Sequence, residues 1–228
     1  MSAAIRVLLV GALGRMGRTV AAAIAKDSSL TIAAGLDRGD SIAPSIEGCD
    51  VVIDFSAADV TAEVCSVCAQ HRKPLVLGTT GQNDTQKESV AAAARVIPIV
   101  FAANFSVGVN TLFALTRRAA QVLGNNFDLD VIEMHHRTKK DAPSGTAKRV
   151  VEILQEVRGP SGEIAAQSIR AGDIVGEHTV IFAGPGERLE LTHRASSRET
   201  FAVGALRAAR WALEQPTGLY DMEDVLGL

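Results

Sequence analysis

The chain has 228 residues, 47% of them hydrophobic and 21% charged, with a formal net charge of −3. That length fits one large domain or two small ones, and the composition supports a sizeable core and argues against disorder. A net negative chain makes a poor general nucleic-acid binder, and no apolar run reaches the roughly 18 residues of a membrane span. The start runs straight into a strand without a secretory pattern, so a cytoplasmic protein with no nucleic-acid or membrane partner is expected.

The first half alternates strands and helices. Ile5 to Val10, Leu30 to Leu36, Val51 to Phe55, Leu75 to Leu77 and Ile97 to Ala102 read as strands; Arg15 to Lys26, Val60 to His71 and Thr85 to Arg95 read as helices. Nearly continuous apolar strands between helices predict a parallel sheet covered on both faces. Three cysteines cannot all pair with one another, and the Cys65/Cys68 spacing falls mid-helix rather than at a helix start, so reduced thiols are expected.

Gly11-Ala12-Leu13-Gly14-Arg15-Met16-Gly17 follows the first strand and opens the first helix. Glycines at such a turn let the backbone approach a pyrophosphate, which a helix N-terminus then faces. Asp37 ends the second strand, where an acid accepts hydrogen bonds from a ribose diol; Arg38 beside it suits the 2′-phosphate of NADP. NADH and NADPH therefore both stay open. Gly78-Thr79-Thr80-Gly81 and Ala102-Ala103-Asn104-Phe105-Ser106 end two further strands, and their small residues allow a nicotinamide ribose to lie against the backbone.

The second half reads differently. Val109 to Leu123 and Ser144 to Val157 are helical; Phe127 to Met134, Ala166 to Arg170, Thr179 to Phe182 and Arg188 to His193 are strand-like; Phe201 to Leu213 is helical again. An open, mostly antiparallel sheet with helices on one face is expected. The richest stretch runs from Glu133 to Thr146, a strand end, a polar loop and a helix opening, and holds His135, His136, Arg137, Lys139 and Lys140. A histidine moves protons near neutral pH, and Lys139 would do so if desolvated or crowded by cations such as its neighbours. Ser144-Gly145-Thr146 offers helix N-terminal N–H groups, for which a carboxylate is a natural guest. A site that binds a small dianion and gives it a proton needs both parts. A metal site on His135, His136 and His178 is disfavoured, because adjacent strand residues point to opposite faces, and no metal is expected.

GRMG, GTTG, FAANFSVGVN, HHxxKxDAPSGTA, RAGDIVGEH and THRASSRxxFAxGA, in this order from about Ile5 to Leu228, resemble the 4-hydroxy-tetrahydrodipicolinate reductase (dihydrodipicolinate reductase) family. The resemblance implies an α/β protein: a Rossmann-type parallel-sheet cofactor domain over 1–106 and 198–228, and an α+β domain with an open mixed sheet over 107–197 for substrate binding and tetramerisation. It implies NADH- or NADPH-dependent reduction of a small cyclic imino-dicarboxylate, with loss of water, on the diaminopimelate route to lysine, by a homotetramer. Carried over by motif, Gly11, Ala12, Leu13, Gly14, Arg15 and Met16 hold the pyrophosphate, Asp37 the adenosine ribose and Arg38 a 2′-phosphate. Gly78, Thr79, Thr80, Ala102, Ala103, Asn104 and Phe105 line the nicotinamide side. His135 and Lys139 become the proton-donating pair, and His136, Lys139, Ser144, Gly145 and Thr146 the substrate-carboxylate site. Domain closure implies hinges near 106–108 and 196–198.

The chain departs from the family pattern at two short connections, Gly39 to Asp50 and Val157 to Ile164. It also departs after the third strand, where Ala57 and Ala58 stand in place of an arginine. The Rossmann half alone would suit an aspartate dehydrogenase-like enzyme equally well, but the HHxxKxDAPSGT run would not. A cofactor sensor without catalysis would have lost the acid, yet His135 and Lys139 are both present.

Overall fold

A computed structural model describes residues 3–159 and 164–228, so residues 160–163 of the short connection from Val157 to Ile164 lie outside the described residues. In chain order the elements are β1 (Ile5–Val10), α1 (Arg15–Ala25), β2 (Leu30–Leu36), β3 (Val51–Asp54), α2 (Thr61–Gln70), β4 (Leu75–Leu77), α3 (Asp84–Ala93) and β5 (Pro98–Phe101). Then follow α4 (Val107–Leu123), β6 (Asp128–His135), α5 (Gly145–Arg158), β7 (Ala166–Arg170), β8 (Gly176–Gly184) and β9 (Glu187–Ala195). The chain ends with α6 (Glu199–Ala212), β10 (Gly218–Tyr220) and α7 (Met222–Leu226). Two compact units result: the residues through Ser106 join Glu199–Gly227 in the first, and Val107–Arg198 form the second.

The first unit is built on a six-stranded sheet ordered β10-β5-β4-β3-β1-β2. All its pairings are parallel. Val7, Leu9, Ile53, Val76 and Val100 point to one face and pack with Val20 and Ile24 of α1 and the alanines of α6. Leu8, Val52, Leu75, Leu77 and Ile99 point to the other and meet Val64, Cys65 and Cys68 of α2 and Val90 of α3. Burial on both faces is why these strands read as unbroken apolar runs. Cys49, Cys65 and Cys68 are free and buried, and burial pushes the Cys65 thiol up to about 12, which disfavours its reactive thiolate form. The chain reaches β2 at one edge and returns to β3 on the other side of β1, which makes the β1/β3 junction the switch point of the sheet.

Several boundaries differ from the sequence expectation, each for a local reason. Helix α3 starts at Asp84, before the expected Thr85, because Asn83 and Gln86 form a reciprocal capping box. Strand β10 adds to the sheet beside β5, and α7 is capped by Asp221. Both are too short to show periodicity in the sequence. Strands β8 and β9 run well past Thr179 to Phe182 and Arg188 to His193, because their antiparallel pairing continues from Gly176↔Ala195 to Gly184↔Glu187.

The second unit has a four-stranded sheet ordered β7-β6-β8-β9, parallel at β6/β7 and antiparallel elsewhere. Val131, Val180 and Phe182 face α4 and α5, meeting Leu112, Phe113, Val150, Ile153 and Leu154. The opposite face carries Ile132, Met134, Thr179 and Ile181, and among the described residues no helix of this unit packs its apolar side chains against it. Among the described residues, no helix is long and apolar enough to cross a membrane.

Candidate active site

In the first unit the glycine loop is shaped by close backbone approach. Gly11 has φ +81, and a Cβ there would lie 2.5 Å from the Phe55 carbonyl oxygen; a Cβ on Gly17 would lie 2.0 Å from that of Gly11. Neither position admits a side chain. Gly14 is the N-cap of α1 and brings no side-chain cap, which leaves this helix N-terminus suited to an anion. Asp37 fixes the loop from β2: its carboxylate accepts from the Leu13 N–H and the Arg38 N–H, each at 2.8 Å. The Arg38 bond, then the Leu13 bond, hold its pKa below the usual carboxylate value. Each oxygen keeps a further lone pair for a ligand hydroxyl.

A cleft of about 490 Å³ opens above the ends of β1, β2 and β3, lined among others by Gly11, Gly14, Asp37, Arg38, Phe55 and Ser56. Its lining also holds Asp40, Asp59 and Glu63, so four carboxylates face it against the single guanidinium of Arg38. Ala12, Leu13, Arg15 and Met16 belong to the same loop but not to this lining. Gly78, Thr80 and Ala102–Asn104 sit at the ends of β4 and β5 with some exposure, whereas Thr79 and Phe105 are buried. The Phe105 ring meets Phe55 edge-on at 5.6 Å between centroids. Burial of the Thr79 and Phe105 side chains leaves mainly the backbone of these two residues exposed at the strand ends.

The second unit assembles a different kind of site. His135 ends β6, and His136 begins the loop. Two residues before His135, on the same face of the strand, Glu133 is fully buried. Its carboxylate takes a bidentate pair from Arg170 of β7 (2.8 and 2.7 Å), the His135 Nδ1–H (2.5 Å) and the Ser144 N–H (3.2 Å). Arg170 also donates to the Asp141 carbonyl at 2.6 Å and so ties down the loop. Ser144 is the N-cap of α5, its Oγ accepting from the Ala147 N–H at 3.2 Å. The same Oγ lies 2.9 Å from Nε2 of the buried His178 on β8. The rings of His135 and His178 stand edge-on, with centroids 5.2 Å apart.

Charge in this cluster is tightly set. Burial would raise the Glu133 carboxyl, but Arg170, Ser168 and His135 outweigh it and bring it down to about 2. His135 is lowered, by burial first, with Glu133 opposing and Lys139 and Arg170 assisting. Burial and then His135 lower His178 to about 4. At neutral pH both rings are thus neutral. His135 carries its proton on Nδ1 toward Glu133, and its Nε2 is an acceptor. A Cβ on Gly176 would lie 3.0 Å from that Nε2, so a side chain there would crowd it.

Lys139 pairs with Asp141 at 2.9 Å, a carboxylate partner not foreseen in the sequence. The turn that carries it closes from the Lys139 N–H to the His136 carbonyl, and the His136 ring bonds to Thr138. Gly145 and Thr146 form the first turn of α5, and Pro143 before them follows a cis peptide bond. Glu133, Arg170 and His178 received no role from the sequence. Two signals could have found them: a carboxylate two residues before a strand histidine, and the RAGDIVGEH run, whose ends are Arg170 and His178. Among the described residues no group of three or more His, Cys, Asp or Glu side chains is placed to hold a metal ion.

Both halves of the chain match family models, residues 5–105 the N-terminal and residues 108–226 the C-terminal part of dihydrodipicolinate reductase. A 4-hydroxy-tetrahydrodipicolinate reductase from Akkermansia muciniphila is 48% identical, covering 98% of each chain, and one from Halorhodospira halophila is 43% identical, covering 96% of this chain and 98% of its own. These alignments run over 242 and 261 positions, so the relatives carry segments that this 228-residue chain lacks. A dipicolinate-bound dihydrodipicolinate reductase from Paenisporosarcina sp. TG-14 superposes with a TM-score of 0.82 at 25% identity, covering 96% of this chain and 97% of its own. A parallel-sheet unit with a glycine turn, a mixed-sheet unit with a buried histidine cluster and these matches agree: the chain belongs to the dihydrodipicolinate reductase family.

Proposed function

We propose that this chain reduces 4-hydroxy-tetrahydrodipicolinate to tetrahydrodipicolinate with a reduced nicotinamide cofactor, on the diaminopimelate route to lysine in the cytoplasm. The observation that carries the reading is the cluster of Glu133, His135, Ser144, Arg170 and His178 next to the Lys139 ammonium and the α5 N-terminus. The Lys139 ammonium, the Ser144 hydroxyl and the α5 N-terminus that this cluster holds in place are donors suited to a small dicarboxylate. The dipicolinate in the solved relative is such a ligand.

The first unit fits a dinucleotide. Gly11–Met16 form the pyrophosphate turn, Asp37 accepts from the adenosine ribose, and the 78–80 and 102–105 segments lie at the nicotinamide end. A bound nicotinamide supplies the hydride. Asp37, Asp40, Asp59 and Glu63 against Arg38 in the cleft lining make it a poor host for an extra phosphate, so NADH is the preferred cofactor.

In the second unit, His136, Lys139, Ser144, Gly145 and Thr146 bind the substrate carboxylates, with the helix N-terminus adding to the attraction. Loss of the substrate hydroxyl as water leaves an α,β-unsaturated imine. Hydride addition drives an electron pair toward the ring nitrogen, and a proton must arrive there. His135 holds its only proton toward Glu133, so Lys139 is the donor in this reading, and Asp141 orients it. His135, fixed by Glu133, keeps a bare Nε2 that can accept a proton from water and hand that proton on to the lysine, returning to the neutral ring. The half-apolar sheet face with Ile132, Met134 and Ile181 supports a homotetramer built on it.

A coupled assay tests the function. The preceding synthase condenses pyruvate with aspartate semialdehyde, and cofactor oxidation is followed at 340 nm. Rapid oxidation, faster at low NADH than at equally low NADPH, is expected. No oxidation with either cofactor, from folded protein that binds NADH, would sink the assignment.

A further inference from the structure

The proposed mechanism leaves His178 unused, although this ring is buried and reaches the helix cap. Its Nε2 lies 2.9 Å from Ser144 Oγ, and its Nδ1 is sealed from solvent with no hydrogen-bond partner. A neutral imidazole has one N–H and one bare nitrogen, and a serine hydroxyl has one donor and two lone pairs. Ala147 N–H already occupies one lone pair of Ser144. Two proton arrangements remain. If Ser144 donates to Nε2, His178 must carry its proton on Nδ1, a buried N–H with no acceptor, and the hydroxyl proton is spent inside the protein. If His178 donates from Nε2, Nδ1 is a bare acceptor. Both lone pairs of Ser144 are then filled, and its O–H has to point elsewhere. A buried N–H without an acceptor is the rarer defect in folded proteins.

We infer that His178 is a positioning residue that donates from Nε2 to Ser144, turning the Ser144 hydroxyl into a pure donor for a substrate carboxylate. A carboxylate only accepts, so it demands a donor at this place. The serine alone could rotate its proton either way. With Ala147 on one side and His178 on the other, one direction is left. Glu133 completes the arrangement by taking the Ser144 N–H, so backbone and side chain of the cap are both fixed by buried groups of other strands. The carboxylate-facing role of Ser144 rests on the proposed function; the proton arrangement of His178 does not.

Nitrogen-15 NMR of the substrate-free protein labelled at histidine reads the arrangement directly. The His178 signals should report a protonated Nε2 and a bare Nδ1 at neutral pH. A protonated Nδ1 would overturn the inference even if the protein proved an active reductase, and a protein inactive as a reductase would leave this reading standing and sink the function instead. With the active enzyme, His178→Leu and Ser144→Ala should each raise the substrate KM about tenfold or more with kcat changed little, and the double variant should be no worse than either. His178→Gln, whose amide can also donate toward Ser144, should recover most of the loss, which guards against a variant that merely misfolds. Additive losses in the double variant, or no rescue by glutamine in a folded protein, would contradict the role.

Discussion

The two units build their sites from different materials. In the first, the turn at the floor of the cleft is made of backbone: glycines that leave no room for side chains, a helix start without a cap, and one carboxylate that holds the turn in place. In the second, the site is made of side chains drawn from three strands and a helix cap, nearly all buried, each holding the next. A backbone site tolerates change in its lining but not at its glycines. A side-chain network tolerates change at its exposed loop but not at its buried centre.

The largest expected effect lies at that centre. Glu133→Ala would leave the Arg170 guanidinium partly buried without its partner and should cost about 3–5 kcal/mol of stability. Thermal unfolding would read this as a large drop in midpoint. A shift no bigger than that of a surface variant such as Glu152→Ala would mean the network is not the keystone of the second unit. Gly17→Ala should nearly abolish NADH binding, measured by titration, because its Cβ has 2.0 Å to the Gly11 oxygen; near-wild-type affinity would show that the turn yields. Lys139→Ala should lower kcat by roughly 10²–10⁴ with cofactor affinity kept, if it is the acid. Near-normal turnover would remove it from the mechanism.

Acid should separate the units more gently. His178 is lowered to about 4, against about 6.5 for an ordinary histidine, so the unfolded chain binds this proton first. Stability is full above about 6.5 and falls as pH drops from there toward 4, by an amount on the order of 2–3 kcal/mol. Glu133, lowered to about 2, adds a second loss as pH falls from the ordinary carboxylate range toward 2. Unfolding midpoints measured across this range should show the upper limb in the wild type and a clearly shallower one in His178→Gln, where the lowered His135 and His193 remain. The smallest effect belongs to Arg38→Ala, which should change the KM for NADH less than about threefold, since the arginine is exposed and the proposed ribose partner is Asp37.

The same contrast governs what the sequence revealed. The glycine turn, Asp37 and the alternating strands of the first unit were legible because backbone constraints leave marks on neighbouring residues: spacing, runs and a switch to helical period. The loop from His135 to Thr146 was legible because its chemistry is concentrated in one stretch. Glu133, Arg170 and His178 were not, since they come together only when β7 and β8 flank β6, a pairing that no local pattern encodes. The Lys139–Asp141 pair went unforeseen for a related reason: the cations adjacent in sequence were given weight, and the carboxylate two residues on was not. Strand β10 and helix α7 escaped because three and five residues carry no period.

The central claim, that this chain moves hydride onto a cyclic imine, is tested most directly with NADH carrying deuterium at both C4 positions. Mass spectrometry of the product formed from synthase-generated substrate should show tetrahydrodipicolinate heavier by one deuterium, in step with cofactor oxidation. Oxidised cofactor without label in that product, or no product at all from folded protein, would contradict it.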